Sequence, residues 1–462
     1  MKICARSHNK VFFAIALMFL ALKIASLQYY HALWWDASVY IGMGKQIYSL
    51  GGSGLWENSR PVIWPLILGL LWKLDIDPVI YGRILESIIG SFCVAMTYLI
   101  GRKVIGEKTA IVAAIFLAVS PTFFFFNGIM LTEVLSTFFL LLGVYFFIGR
   151  KDFISGIFFG AAFMTRFLQI IFFAIFAFSF LIGRRKNKYF FFMGFIILLI
   201  PYFLLNLILY ENPLSPFLQQ VYLSKNTGWH NYLPPYYYLA ELFRENILYI
   251  ASFLGVILIF KNSMSEKDSS KLNIAFSFII PFAIFSIIRQ KEMRFLIILL
   301  PFMHLCAAFF ISWLYGKANN FALRSLIVFA VSLSVVFSIF GIADYYRVES
   351  SKHDRHAYLE KALQDKKING NIWVSSPLIA SGSDKKVSLL YYPKLKGSNF
   401  DTAQDADFVL LDYCDLECKG LDYKCTLIRN NLTSYLSRRF AIEQESIYAG
   451  CSQYVFAAKY GH

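Results

Sequence analysis

Apolar runs of about 20 residues recur between residues 11 and 343, and a run of that length crosses a hydrocarbon core of ~30 Å as a helix. The connections between them alternate in character. Lys and Arg gather in residues 1–10, 101–108, 149–152, 183–188, 261–271 and 316–324, which the positive-inside rule places in the cytoplasm. The intervening stretches, 28–77, 127–133, a tip at Thr165 and Arg166, 210–244 and 289–294, then face out, as does the tail. The alternation predicts an α-helical polytopic membrane protein with about eleven transmembrane helices and a cytoplasmic N-terminus. Two segments break the pattern. Residues 61–74 are apolar but too short to cross, so they are expected to lie along the outer leaflet. Residues 153–183 carry basic clusters at both ends, which forces a tight hairpin whose first arm stops short.

From Asp344 onward no stretch is apolar enough to span. The chain therefore divides into a transmembrane domain, residues 1–343, and a water-exposed extracytoplasmic domain, residues 344–462, of ordinary core-forming size. In the tail, residues 373–376, 387–392 and 408–412 read as short strands and 353–367 as a helix, which makes it α/β.

Composition sharpens this picture. Of the 462 residues 58% are hydrophobic, 16% are charged and 48 are Phe, which excludes water as the main solvent. The net charge of +15 sits in the short basic connections, so it reports membrane orientation and not nucleic-acid binding. Residues 11–27 follow Lys2, Arg6 and Lys10 in the manner of a signal peptide, but 28–35 hold no small-residue cleavage site, so an uncleaved first helix is expected. Phe123 to Phe126 read as structural in a lipid solvent. Neither a Walker A loop, a dinucleotide fingerprint nor a His-Glu-x-x-His motif occurs, so ATP, NAD and catalytic zinc are not implied.

Four of the seven cysteines, Cys414, Cys418, Cys425 and Cys451, cluster in the tail. An even set in an outward domain reads as two disulfides with three connectivities open. A zinc site is the rival, disfavoured because the spacing lacks close pairs. The sequon at Asn431, Leu432 and Thr433 accepts a glycan if the tail faces out.

Candidate chemistry gathers at the outer boundary. Asp36 follows Trp34 and Trp35, and five of the eight Trp residues (34, 35, 56, 64 and 72) fall in this one segment, where rings anchor at the interface and stack on sugars. Arg60 precedes Pro61. Glu133 stands at the outer end of an otherwise uncharged helix, and such a group is functional by default unless it is only a cap. Arg166 lies at the hairpin tip. Arg289, Lys291, Glu292 and Arg294 make an outer loop basic against the positive-inside rule, for which a bound phosphate is the natural cause. Arg83 belongs to the same group or only snorkels.

At WWDASVY, RPVIWPLILGLLWKL, SPTFFFFNGIMLTEVL, GAAFMTRF and RQKEMRFLIILLP the chain resembles the GT-C superfamily of membrane glycosyltransferases, specifically the branch of protein O-mannosyltransferases and aminoarabinose lipid A transferases. KEMRF is similar to a motif of eukaryotic lipid-linked mannosyltransferases. The resemblance covers the first helix to about residue 315. It implies Asp36 as catalytic base, and Glu133 as a second carboxylate that positions acceptor or, in some relatives, a divalent ion such as Mg or Mn. It implies Arg60 and Arg166 against a lipid phosphate; the basic outer loop adds Lys291 and Arg294 to that role on electrostatic grounds, and Trp35, Tyr40 and Glu292 are candidate substrate contacts. The partners implied are a polyprenyl (dolichyl or undecaprenyl) phosphate sugar and a glycan, lipid or protein acceptor at the plasma membrane. One departure is that Ala37 follows Asp36 where protein O-mannosyltransferases place Glu, which argues against a protein acceptor. The rival readings are a lipid or glycan transporter or flippase, whose ionisable sites lie nearer the midplane, and an adhesive protein that works through its tail.

Overall fold

The computed structural model describes residues 2–30, 32–182, 189–226, 233–266, 269–288, 290–350, 355–390, 406–416, 423–448 and 450–459. The protein is mostly helical with a small C-terminal sheet. Among the described residues, four helices are long and apolar enough to cross a membrane: Pro78–Val104, Tyr189–Tyr210, Ser269–Ile287 and Phe321–Ser350. Several of the other expected spans are interrupted, and the count of about eleven rests on joining shorter apolar helices across those breaks. Pro121 opens the helix Pro121–Phe126 just after Glu107–Ala118 ends, because proline has no N–H to continue a helix but fits a first turn. The expected hairpin is present. The helix Asp152–Thr165 stops at Arg166, a 3-10 turn covers Phe167–Gln169, and Ile170–Ile182 runs back, so that the Phe159 and Phe176 rings lie 5.1 Å apart.

The chain forms two compact units. The first comprises Met1–Tyr30, Arg83–Phe203 and Asn231–Ser351; the second comprises His31–Gly82, Leu204–His230 and Lys352–His462. The composition change at Asp344 falls inside a continuous helix, Phe321–Ser350, whose last turns stay helical although polar. Asp344 and Arg347 pair there at 3.3 Å on an exposed face. Beyond that helix, the sheet does not stand alone. The outer segment after the first helix is part of the same unit.

In the second unit, β1 (Ile372–Val374), β2 (Val387–Leu389), β3 (Phe408–Asp412), β4 (Phe440–Tyr448) and β5 (Cys451–Ala458) form one sheet in the order β2-β1-β3-β5-β4. The pairs β1–β2 and β1–β3 are parallel, and β3–β5 and β4–β5 antiparallel. The last two strands and the helix Tyr423–Arg439 were not legible in the sequence. β4 is exposed over most of its length, so no alternation marks it. One face of the sheet packs Val374, Leu389 and Leu410 on Leu359 and Leu363 of the helix Ala357–Leu363, and on Val39, Met43 and Leu55 of the outer segment. Backbone joins them too: Gly54 N–H donates to the Lys385 carbonyl at 3.0 Å and Val387 N–H to that of Gly54 at 2.9 Å. Lys45 ties to the Ser383 carbonyl at 2.9 Å and to Asp384 at 3.1 Å. The Trp72 indole donates to Asp384 at 2.9 Å.

Of the expected disulfide candidates, Cys414 and Cys451 are bonded to each other. This closes the end of the β3–β5 ladder and restrains the unfolded chain by ~2–4 kcal/mol. Cys418 and the Cys425 side chain lie outside the described residues, as do Arg289 and Tyr391 to Tyr392 of the expected strand.

Within the outer segment, the helices Trp35–Tyr48 and Ile63–Lys73 cross at two glycines. A Cβ on Gly44 would meet the Pro65 carbonyl oxygen at 2.5 Å and the Gly69 nitrogen at 2.6 Å, so only glycine permits this approach. Gly44→Ala is expected to lower the melting temperature in detergent, with a cost of ~1–3 kcal/mol from overpacking. Gly316→Ala, where nothing lies within 4 Å, should change it little.

In the first unit the amphipathic helix Tyr237–Glu245 is pinned at both ends. Tyr238 bonds to the Glu292 backbone, and the buried Glu245 carboxylate accepts from Thr122 and, at 3.0 Å, from Tyr345. Burial pushes the Glu245 carboxyl from 4.5 up to about 7. A raised pKa contributes stability that is whole below 4.5 and is lost as pH rises through about 7. The melting temperature is therefore expected to fall as pH rises across that window, and Glu245→Gln should flatten that part of the curve.

Candidate functional site

Two clusters of charge carry the candidate residues, one in each unit. In the second unit Asp36 occupies the first turn of the helix Trp35–Tyr48, where the helix dipole favours an anion. Its Oδ1 lies 2.7 Å from Arg60 Nη2, and Arg60 Nε lies 2.9 Å from Glu57 Oε2. Asp36 and Glu57 are buried, their side chains 8% and 5% exposed, and Arg60 is partly buried at 14%. The Arg60 guanidinium stands 5.7 Å from the centre of the Tyr40 ring, one helical turn after Asp36. The Gly44–Gly69 crossing holds this helix against the one that follows Arg60.

Arg60 is thus committed to two carboxylates. Glu57 escaped the sequence reading, although Glu-x-x-Arg is the spacing of a one-turn ion pair. It is a second buried carboxylate on the same guanidinium. Trp35 packs against the core beneath the sheet together with Trp56. Trp56 donates to the Tyr210 hydroxyl at 2.7 Å and Trp64 is fully buried. The Trp-rich segment is largely framework.

In the first unit Glu133 sits in the first turn of the helix Thr132–Ile148 and is 1% exposed. Its Oε1 is 2.9 Å from Arg166 Nη1 and 3.7 Å from Arg294 Nε, and Arg294 Nε is 2.6 Å from Glu292 Oε2. Arg166 Nη1 also donates to the Thr132 hydroxyl at 3.2 Å. Arg166 reaches Glu133 because the chain is extended at this one residue, φ −154 and ψ 116, between two helical segments. The Phe295 ring lies 5.2 Å from the Arg166 guanidinium and 5.7 Å from that of Arg294. Lys291 is buried and its ammonium donates to the Ile288 carbonyl.

The structure thus brings Glu133, Arg166, Glu292 and Arg294 into one network. Tyr238, which the sequence did not single out, organises it. Its hydroxyl accepts from Glu292 N–H at 3.1 Å and donates to the Glu292 carbonyl at 3.2 Å. Burial raises the Tyr238 hydroxyl above the usual tyrosine range, so it remains a donor. Arg83 lies elsewhere in the unit and donates to the Tyr30 carbonyl at 3.0 Å.

Such clusters pair buried carboxylates with guanidinium groups, whose forked donors suit carboxylate or phosphate oxygens. They are poor metal cages as arranged, because the guanidinium groups 2.7 Å from Asp36 and 2.9 Å from Glu133 take the place a cation would need. Among the described residues, the groups with metal-ligand proximity are His356, Asp412 and Asp415, and Asp412, Cys414 and Cys451. There Arg355 bridges Asp412 and Asp415 at 2.9 and 2.5 Å and the two sulfurs are bonded to each other.

The solved structures this chain is similar to share its fold. ArnT from Cupriavidus metallidurans bound to undecaprenyl phosphate has a TM-score of 0.67 at 11% identity, over 97% of both chains. The Archaeoglobus fulgidus oligosaccharyltransferase in complex with Zn and sulfate has 0.60 at 12% identity, over 97% of this chain and 73% of the other. The arabinofuranosyltransferase AftD from Mycobacteria has 0.57 at 10% identity, over 96% and 40%. No curated protein matches the sequence. Residues 11–378 match the Alg9-like mannosyltransferase family, so most of the apolar chain is covered. The protein is a membrane glycosyltransferase of the GT-C class and belongs to the Alg9-like mannosyltransferase family.

Proposed function

We propose that this protein transfers a sugar from a polyprenyl phosphate to a hydroxyl of a lipid-linked glycan, lipid or protein, by inverting displacement on the extracytoplasmic side of the plasma membrane. The observation that carries this reading is the buried network of Glu133, Arg166 and Arg294, with Lys291 buried in the same loop as Arg294, cations in outward connections where the positive-inside rule expects few. The alternation of basic and neutral connections, read as about eleven crossings with the N-terminus inside, supports this orientation, and the disulfide between Cys414 and Cys451 agrees with an oxidising compartment for the tail. That ArnT was solved bound to undecaprenyl phosphate supports the donor class.

In this reaction Asp36 takes the proton of the acceptor hydroxyl as its oxygen bonds to the anomeric carbon. The bond from that carbon to the phosphate oxygen breaks, and its electron pair leaves with polyprenyl phosphate. General-base positioning of this kind speeds reaction by ~10²–10⁴-fold. Arg60 orients Asp36, with Glu57 sharing the guanidinium, and Tyr40 flanks the sugar. The resemblance assigns Arg60 to the phosphate; its two ion pairs favour the orienting role. Arg166, Arg294 and Lys291 stabilise the charge that builds on the departing phosphate, the largest contribution in sites of this type. Glu133 and Glu292 hold the two guanidinium groups in register and accept from sugar hydroxyls.

The test is the full chain in liposomes with radiolabelled polyprenyl phosphate sugars, mannose first, and a membrane glycolipid extract as acceptor. Asp36→Asn should reduce transfer at least ~100-fold while polyprenyl phosphate binding persists; turnover near wild type rejects the assignment. Arg166→Lys keeps the charge but loses the fork, and is expected to raise the donor KM about tenfold, a loss of ~1.4 kcal/mol. Movement of the intact donor across the bilayer without transfer of label would favour a flippase instead.

A further inference from the structure

Glu86 stands within the apolar helix Pro78–Val104 and is fully buried. A carboxylate in such a place marks function unless something explains it. Its Oε2 accepts from the Gly128 N–H at 2.8 Å and the Met130 N–H at 2.6 Å, and its Oε1 from the Leu131 N–H at 3.2 Å. One turn further along the same helix, a Cβ on Gly90 would fall 1.7 Å from the Asn127 amide nitrogen. The Asn127 side chain therefore rests directly on Gly90, and loop 127–131 is seated on this helix at two points. The loop has no repeating structure to satisfy its amides, and in apolar surroundings three unpaired N–H groups would each cost free energy. Its backbone is unusual as well. Gly128 has φ 134 and Met130 has φ 64, and a non-glycine residue in the left-handed region persists only where neighbours fix it. On the other side, a Cβ on Gly128 would come within 3.1 Å of the Lys23 ammonium.

The loop ends at Leu131, the N-cap of the helix Thr132–Ile148, whose first turn carries Glu133. A rotation of that first turn moves the Glu133 carboxylate away from Arg166. We propose that Glu86 is a positioning residue for Glu133: by holding the amides of Gly128, Met130 and Leu131 it sets where that helix begins, and so places the Glu133 carboxylate against Arg166 and Arg294. This rests on the role given to Glu133 above. Lys23, whose ammonium donates to the Tyr30 and Tyr346 hydroxyls at 2.6 and 2.7 Å, closes the loop from its other face.

The full chain in liposomes, with polyprenyl phosphate mannose as donor, tests this through Glu86→Gln, Gly90→Ala, Glu133→Gln and the double variant Glu86→Gln/Glu133→Gln. Glu86→Gln retains shape but loses one acceptor, and should lower kcat on the order of 10–100-fold, the scale of a small misplacement at a reacting centre. The split between kcat and KM should match that of Glu133→Gln, and the double variant should be no slower than Glu133→Gln alone. Gly90→Ala alters no charge, yet should shift the same two parameters in the same direction. Hydrogen exchange read by mass spectrometry should show amides 128–131 losing protection in Glu86→Gln and keeping it in Glu133→Gln.

Additive losses in the double variant, or unchanged exchange at 128–131, overturn the proposal. Full turnover in Glu133→Gln would instead sink the role of Glu133, and the exchange result alone then decides whether Glu86 fixes the loop.

Discussion

A carboxylate that is 1% exposed is costly to bury without a partner, and both candidate clusters meet that constraint with guanidinium groups. Glu133 has Arg166 and Arg294, and Asp36 has Arg60. Removing one partner of such a pair costs ~3–5 kcal/mol because the other charge is left buried and alone. Local structure bends to meet this demand. Arg166 sits at a single extended residue between helical segments, and Arg294 lies in the short 3-10 helix Met293–Ile298. Unbroken helices would carry either side chain elsewhere, so the interruptions that spoil these segments as simple spans are what deliver the cations.

The second unit shows the same economy by other means. Its sheet is too small to bury much apolar surface alone, and one face is completed by Val39, Met43 and Leu55 from the outer segment. Lys45, Gly54 and Trp72 add a salt bridge, backbone bonds and an indole donor to the loop that leads into β2. The stretch bearing Asp36 is thereby built into a folded domain, which gives a catalytic carboxylate rigid support. The tryptophans that suggested a sugar platform are spent mostly on this packing.

Identities of 10–12% with solved structures of like fold fit a chain whose helices answer to a lipid solvent. Many apolar residues satisfy that solvent equally well, so the pattern persists where identity does not. Function has to be argued from polar residues at particular places, because fold alone does not carry it.

Helix-forming apolar runs, the polar tail and the outer carboxylates and cations were all legible in the sequence, because length, hydropathy and the expense of charge near lipid are properties of short stretches. Asp36 and Glu133 stood out for that reason, as did the turn at Arg166. Pairing was not legible. Glu57 joins Asp36 through Arg60 across a loop, Tyr238 fastens Glu292 by its backbone, Glu86 holds three amides about 40 residues away, and the outer segment completes the sheet of the tail. Apart from the short Glu57–Arg60 pair, each of these contacts depends on chain closure over many residues, which no local pattern records. The sequence alone determined which groups would be costly to bury, and only the tertiary structure decided what neutralises each of them.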